Sequence, residues 1–206
     1  PAPKPISGNW LVLIETGAVA TELQQKLGEQ CVIVSPGLSY KKIDAKHYQL
    51  NPTAPEDFQQ LLDEILAQNL QLQGIIHLWS LSTSVDELET ALEYSCASLL
   101  HLVQALIQTK QPQMPPLWVV TQSAGNVQQT PLWGLGRVVA LEHPELPCRL
   151  LDLPADIQAE EVVRVLYQEL TLTTTENQIR YAGDSRQVAR LVRRLHQTTK
   201  GKQAVN

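Results

Sequence analysis

The chain has 206 residues, 43% of them hydrophobic and 18% charged, with a formal net charge of -5. That length allows one substantial core, and the composition is globular rather than disordered. Nucleic acid and anionic membranes are not expected as main partners: phosphate binding needs clustered Lys and Arg, and no apolar run reaches the roughly 18 residues of a membrane span.

Residues 1–9 read as linker, without a signal-peptide pattern. Trp10 to Ile14 is a continuous apolar run, which predicts a strand buried on both faces of a parallel sheet. Val19, Leu23 and Leu27 follow at helical spacing, and Gly28 supplies a stop. Cys31–Val34 reads as a second strand and His47–Leu50 as a short one. Thr53 and Glu56 form a T-x-x-E capping box around Pro55, opening a helix striped with Phe58, Leu61, Leu62, Ile65 and Leu66. Ile75–Trp79 is a third buried strand, preceded by Gly74.

Ser84 and Glu87 make a second capping box before a long helix. Its expected buried face is Val85, Leu88, Leu92, Cys96, Leu99, Val103 and Leu106. Leu117–Thr121 predicts a strand, Pro131–Leu141 a helix, Leu150–Leu153 a strand and Ala159–Leu170 a helix. Gln178–Ala182 and Gln187–Val192 are expected to pair as a hairpin around Gly183-Asp184. Arg190, Arg193 and Arg194 form the one basic cluster, at a spacing that suits the solvated face of a helix. The strand–helix alternation argues for an α/β doubly wound parallel sheet with a small β-hairpin near the C-terminus.

Such sheets bind dinucleotides at the first strand–helix turn, where glycines let the backbone approach a pyrophosphate. Here the turn is Glu15-Thr16-Gly17-Ala18-Val19-Ala20, with one glycine where the motif has three, and Ser35-Pro36 stands where an acidic residue would hold a ribose. Gly134-Leu135-Gly136-Arg137 begins like the same motif but follows no strand, so its glycines are expected to allow close helix packing. A short-chain reductase needs a tyrosine with lysine or asparagine four residues on. Tyr40 is followed there by Asp44, Tyr94 by Ser98, Tyr167 by Thr171 and Tyr181 by Ser185. Ser123 sits where such enzymes place a substrate-orienting serine, but it has no such tyrosine to work with.

His47, His77, His101, His143 and His196 lack metal-ligand spacing, and His77 reads as a hydrogen-bonded core histidine. Cys31, Cys96 and Cys148 each lie in an apolar run with no CxxC, which suggests buried thiols in a reducing cytoplasm rather than zinc. Trp79, Trp118 and Trp133 are expected in the core. No P-loop or GxSxG elbow occurs, and Glu160-Glu161 and Asp86-Glu87 read as first-turn helix acids. The expectation is no catalytic, cofactor-binding or metal residue and no cofactor.

Several runs carry a family resemblance. Gly74-Ile75-Ile76-His77-Leu78-Trp79-Ser80-Leu81, Leu117-Trp118-Val119-Val120-Thr121 and above all Pro131-Leu132-Trp133-Gly134-Leu135-Gly136-Arg137-Val138-Val139-Ala140-Leu141-Glu142-His143-Pro144-Glu145 resemble ketoreductase regions of modular polyketide synthases. Cys148 to Pro154 and Tyr181 to Val192 are similar to them as well. The resemblance implies the first, structural half of such a ketoreductase, a truncated Rossmann-like subdomain over residues 10–194 with linkers at 1–9 and 195–206. Its implied partners are the catalytic ketoreductase half and neighbouring domains, among them an enoyl reductase, methyltransferase or dehydratase. A β-ketoacyl reductase with residual NADPH-dependent activity and a docking or dimerisation module are the alternatives.

Overall fold

The computed structural model describes residues 6–82, 88–122 and 127–192. Among these residues nine strands form one sheet, in the order β3-β4-β2-β1-β5-β6-β7-β8-β9. They are β1 (Asn9–Leu13), β2 (Cys31–Pro36), β3 (Lys41–Lys42), β4 (His47–Leu50), β5 (Leu72–His77), β6 (Leu117–Gln122), β7 (Cys148–Leu153), β8 (Gln178–Ala182) and β9 (Ser185–Val188). The seven strands from β4 to β8 run parallel, and an antiparallel strand closes each edge. This is the Rossmann order, with its switch point between β1 and β5.

Helices α2 (Pro55–Ala67), α4 (Ser98–Gln108) and α5 (Thr130–Glu142) cover one face of the sheet, and α1 (Ala18–Leu27) and α6 (Ala159–Thr171) the other. The chain passes from β2 to β4 through β3 alone, with no crossover helix. His47 and Gln49 are therefore only half-buried, between fully buried Tyr48 and Leu50. The truncation is this missing helix, and β4 accordingly alternates as a half-solvated strand does.

The helix beginning at Pro55 is capped differently from expectation. A residue before proline disfavours the helical region, so Ala54 becomes the extended N-cap and Thr53 falls one position early. The Thr53 hydroxyl donates to Asn51 Oδ1, and Asp57 reaches back to accept the Asn51 N–H at 2.8 Å. The long helix also departs from a single stripe. Between α3 (Leu88–Leu92) and α4 lies a π-helical turn, Glu93–Ala97, where the Ser95 hydroxyl donates to Ala91 O and that of Ser98 to Tyr94 O. Such bonds loosen the helical ladder, and the extra residue rotates the face by about 100°. Ala91, Ser95 and Ser98 are buried in place of Leu88, which is exposed, and of Leu92 and Cys96, which are half-buried. The stretch Leu88–Gln108 is long and apolar enough to cross a membrane by length and composition, but here Leu99, Leu102, Val103 and Leu106 pack in the core.

The predicted hairpin forms, but its second strand is Ser185–Val188, which starts two residues before and ends four residues before the expected Gln187–Val192. Arg190 lies beyond it on irregular backbone rather than on a helix, paired with Glu176 at 2.6 Å. Arg193 and Arg194 lie outside the described residues, as do Ser84, Val85, Asp86, Glu87, Ser123 and His196.

Gly74 has a packing reason. A Cβ there would stand 2.3 Å from Cζ3 of the Trp10 ring, which is nearly buried across it. Gly74→Ala is expected to destabilise the fold by about 1–3 kcal/mol. Gly17→Ala, where a Cβ meets nothing within 4 Å, should stay within about 0.5 kcal/mol of the parent. Urea unfolding of the two variants checks both values.

Candidate functional site

In this sheet order a ligand site belongs outside the carboxyl ends of the strands, at the switch point. Gly17, at the head of α1, has φ 162 and ψ -172, extended backbone open to any residue. Ala18 is exposed, Val19 half-buried and Ala20 buried, so side chains open the helix where a phosphate turn would present bare backbone. The Thr21 hydroxyl donates to the Gly17 carbonyl. At the end of β2, Ser35 Oγ lies 3.1 Å from His47 Nε2 and donates to Tyr48 O.

Trp79 occupies the crevice itself. It follows β5, is fully buried, and reaches past β1 to donate its indole N–H to the Val34 carbonyl of β2 at 3.2 Å. Phe58 and His77 meet its ring edge-on at centroid distances of 6.2 and 5.9 Å. Next to it the Ser80 hydroxyl donates to Val120 O, and Gln129 links Ser80 O to the Gln122 N–H. These residues do not fit a dinucleotide: the turn lacks a glycine-lined cradle and an indole fills the switch point.

Tyr40 donates to Glu64 and Tyr181 to the fully buried Glu169, and burial holds both phenols protonated, above their usual range. Tyr167 lies under Lys26, with Nζ 5.0 Å from the ring centroid. Tyr48, the fifth tyrosine, is fully buried and accepts from Gln68, and Pro52 stands four residues on. Sequence reasoning missed a buried network near the carboxyl ends of β6 and β7. Thr121 Oγ1 donates to Asp152 Oδ1 at 2.9 Å and accepts from the half-buried Trp133 indole, while Arg180 pairs with Asp152 at 3.4 Å. The one signal available was register, since Thr121 and Asp152 each stand one residue from the end of neighbouring strands and face each other.

Burial pushes the Cys31 thiol up to about 11 and that of Cys148 to about 12, which makes both poor nucleophiles. Among the described residues no group of three His, Cys, Asp or Glu side chains could hold a metal ion. Of the two glycines in the Trp-Gly-Leu-Gly run, Gly136 packs against Leu150 as expected, but Gly134 is open to solvent.

His77 is a core histidine, its Nε2 2.8 Å from Ser98 Oγ. Burial pushes its imidazole down to about 4, against about 6.5 in an unfolded chain. Above pH 6.5 it is neutral in both states. As pH falls from 6.5 toward 4 the unfolded chain takes up a proton that the folded chain refuses, so stability is lost across that window, by roughly 3 kcal/mol in all. Urea unfolding between pH 7 and 4.5 should show this loss, and a shallower slope in His77→Gln.

A profile of the family described as beta-ketoacyl synthase-like, N-terminal matches residues 8–169. The chain is 29% identical over 180 residues to polyketide synthase GfsA of Streptomyces halstedii, covering 81% of this chain and 2% of that protein. A stretch of 73 residues is 49% identical to the pikromycin polyketide synthase component PikAIII of Streptomyces venezuelae, covering 31% of this chain and 5% of that protein. The chain thus spans a few hundredths of the length of these relatives. It superposes with a TM-score of 0.76 at 22% identity on a multidomain adenylation, ketoreductase and pseudo Asub structure of a keto acid-selecting NRPS module, covering 87% of this chain and 17% of that one. On A-type ketoreductases from a modular polyketide synthase the TM-score is 0.64 at 23% identity, covering 90% of this chain and 38% of that one.

The fold is the Rossmann-like fold that these ketoreductase structures share. The chain belongs to the beta-ketoacyl synthase-like, N-terminal family.

Proposed function

We propose that this chain is the non-catalytic structural subdomain of a polyketide synthase ketoreductase, stabilising the catalytic half and positioning neighbouring domains. The observation that carries this reading is Trp79, whose indole fills the switch point of an otherwise intact sheet. The unneeded glycine at position 17 supports it.

A docking face for the catalytic half is available on α5. Pro131, Gly134, Val138 and Leu141 recur at the 3-4-3 spacing of a helix seam, and all are exposed, Leu141 at 82%. The catalytic half is the fitting occupant because this chain matches only 38% of a solved ketoreductase chain. The isolated chain is expected to leave NADPH fluorescence unchanged, and low-micromolar binding counts against the reading. Co-purification of a catalytic ketoreductase half with this chain, lost in Leu141→Glu, is the expected positive result.

A further inference from the structure

Helix α5 is held to the sheet by little apolar packing. Its buried residues are Leu132, Gly136 and Val139, and Gly136 brings no side chain, since a Cβ there would stand 2.4 Å from Cδ2 of Leu150. Trp133, Leu135 and Ala140 pack beside them half-buried. Apolar contact is non-directional, so two buried side chains leave the rotation of this 13-residue helix about its axis loosely specified.

Polar contacts supply the direction. Trp133 Nε1 donates to Thr121 Oγ1 at 2.9 Å, and the one hydroxyl proton of Thr121 goes on to Asp152 Oδ1 at 2.9 Å. Thr121 and Asp152 are buried and face each other across β6 and β7. A hydroxyl that donates to a carboxylate becomes a stronger acceptor in turn, and each bond of such a chain favours a defined geometry. Arg137 stands one turn further along α5, its guanidinium carbon 5.6 Å from the centroid of the Trp133 ring, and its Nε donates to Gln178 Oε1 of β8 at 3.0 Å. Arg180, two residues along the same strand, pairs with Asp152 at 3.4 Å. Trp133 and Arg137 directly precede Gly134 and Val138, the central residues of the exposed seam. Fixing the first pair therefore fixes the second.

We propose that the Trp133–Thr121–Asp152 chain sets the rotation of α5 and so aims the seam of Pro131, Gly134, Val138 and Leu141 at the catalytic half, a role that rests on α5 being its docking face. Calorimetric titration of this chain with a catalytic ketoreductase half tests it, together with the Trp133 indole resonance of the 15N-labelled chain. Thr121→Val keeps the shape of the side chain but neither donates nor accepts. It is expected to shift the Trp133 resonance and to raise the Kd at least about fivefold, since only the correctly rotated fraction of molecules binds. Thr121→Ser restores the hydroxyl and should return both readouts toward the parent values. Gly74→Ala costs stability on the opposite face of the sheet and should leave the Kd unchanged, which separates rotation of α5 from general loosening. Should Thr121→Val fold poorly, Trp133→Phe removes the indole donor while keeping an aromatic ring beside Arg137, and is expected to raise the Kd as well. A parent chain that fails to bind the catalytic half overturns the docking role of α5 and this proposal with it. Parent-level binding by either folded variant, or an equal loss in Gly74→Ala, overturns this proposal alone.

Discussion

Glu169→Ala is expected to lower the melting temperature of this chain by about 6–20 °C, the largest drop of any single charged-residue change. Glu169 is fully buried in α6 and accepts three hydrogen bonds, two from the Arg186 guanidinium at 2.6 and 3.1 Å and one from the Tyr181 hydroxyl at 2.7 Å. Together they bind both strands of the terminal hairpin to the body of the fold. Removing the carboxylate leaves a mostly buried guanidinium without its counter-charge, a change that costs about 3–5 kcal/mol. For a chain of this length each kcal/mol moves the melting temperature by about 2–4 °C. The double variant Glu169→Leu with Arg186→Met should recover much of the loss, because the penalty comes from the orphaned charge rather than from the missing pair. Glu176→Ala, which breaks the exposed pair with Arg190, should leave the melting temperature nearly unchanged. Thermal unfolding followed by circular dichroism reads all three.

The second large effect is expected at Trp79. Trp79→Ala removes one of the two fully buried tryptophan side chains among the described residues and should cost about 3–5 kcal/mol, with the Val34 carbonyl also losing its indole donor. The variant opens the switch point, yet it is not expected to acquire affinity for NADPH. The head of α1 would still present Ala18, Val19 and Ala20 around a glycine in extended conformation. Calorimetric titration of the variant separates the two obstacles: tight binding would mean that the indole alone closes the site.

The sheet was legible wherever strands are buried on both faces. Trp10–Ile14, Cys31–Val34 and Leu117–Thr121 are apolar runs that leave little choice of structure, and each matches an observed strand to within two residues at either end. What escaped the sequence reading depends on local hydrogen bonding or on distant neighbours. The π turn arises from serine hydroxyls at 95 and 98 that bond to the backbone, and no side-chain periodicity encodes it. The cap at Thr53 failed because Pro55 acts on the backbone of Ala54, a steric effect that a capping pattern ignores. At the candidate site the missing glycines were visible in sequence. The role of Trp79 was not, since a tryptophan ending an apolar run looks like one more strand residue.

The two antiparallel strands at the sheet edges bear on how this fold behaves within a long polypeptide. A parallel sheet that ended on β4 or β8 would offer an unpaired row of amides to any neighbouring sheet. Here one border is only Lys41–Lys42, too short and too charged to template pairing, and the other is β9, fastened through Arg186. In the multidomain polypeptide proposed above, tethering would keep attached domains at millimolar effective concentrations, where stray strand exchange is a standing hazard. Each rim thus ends on a short antiparallel strand from the same chain, which leaves little edge for a neighbouring sheet to pair with.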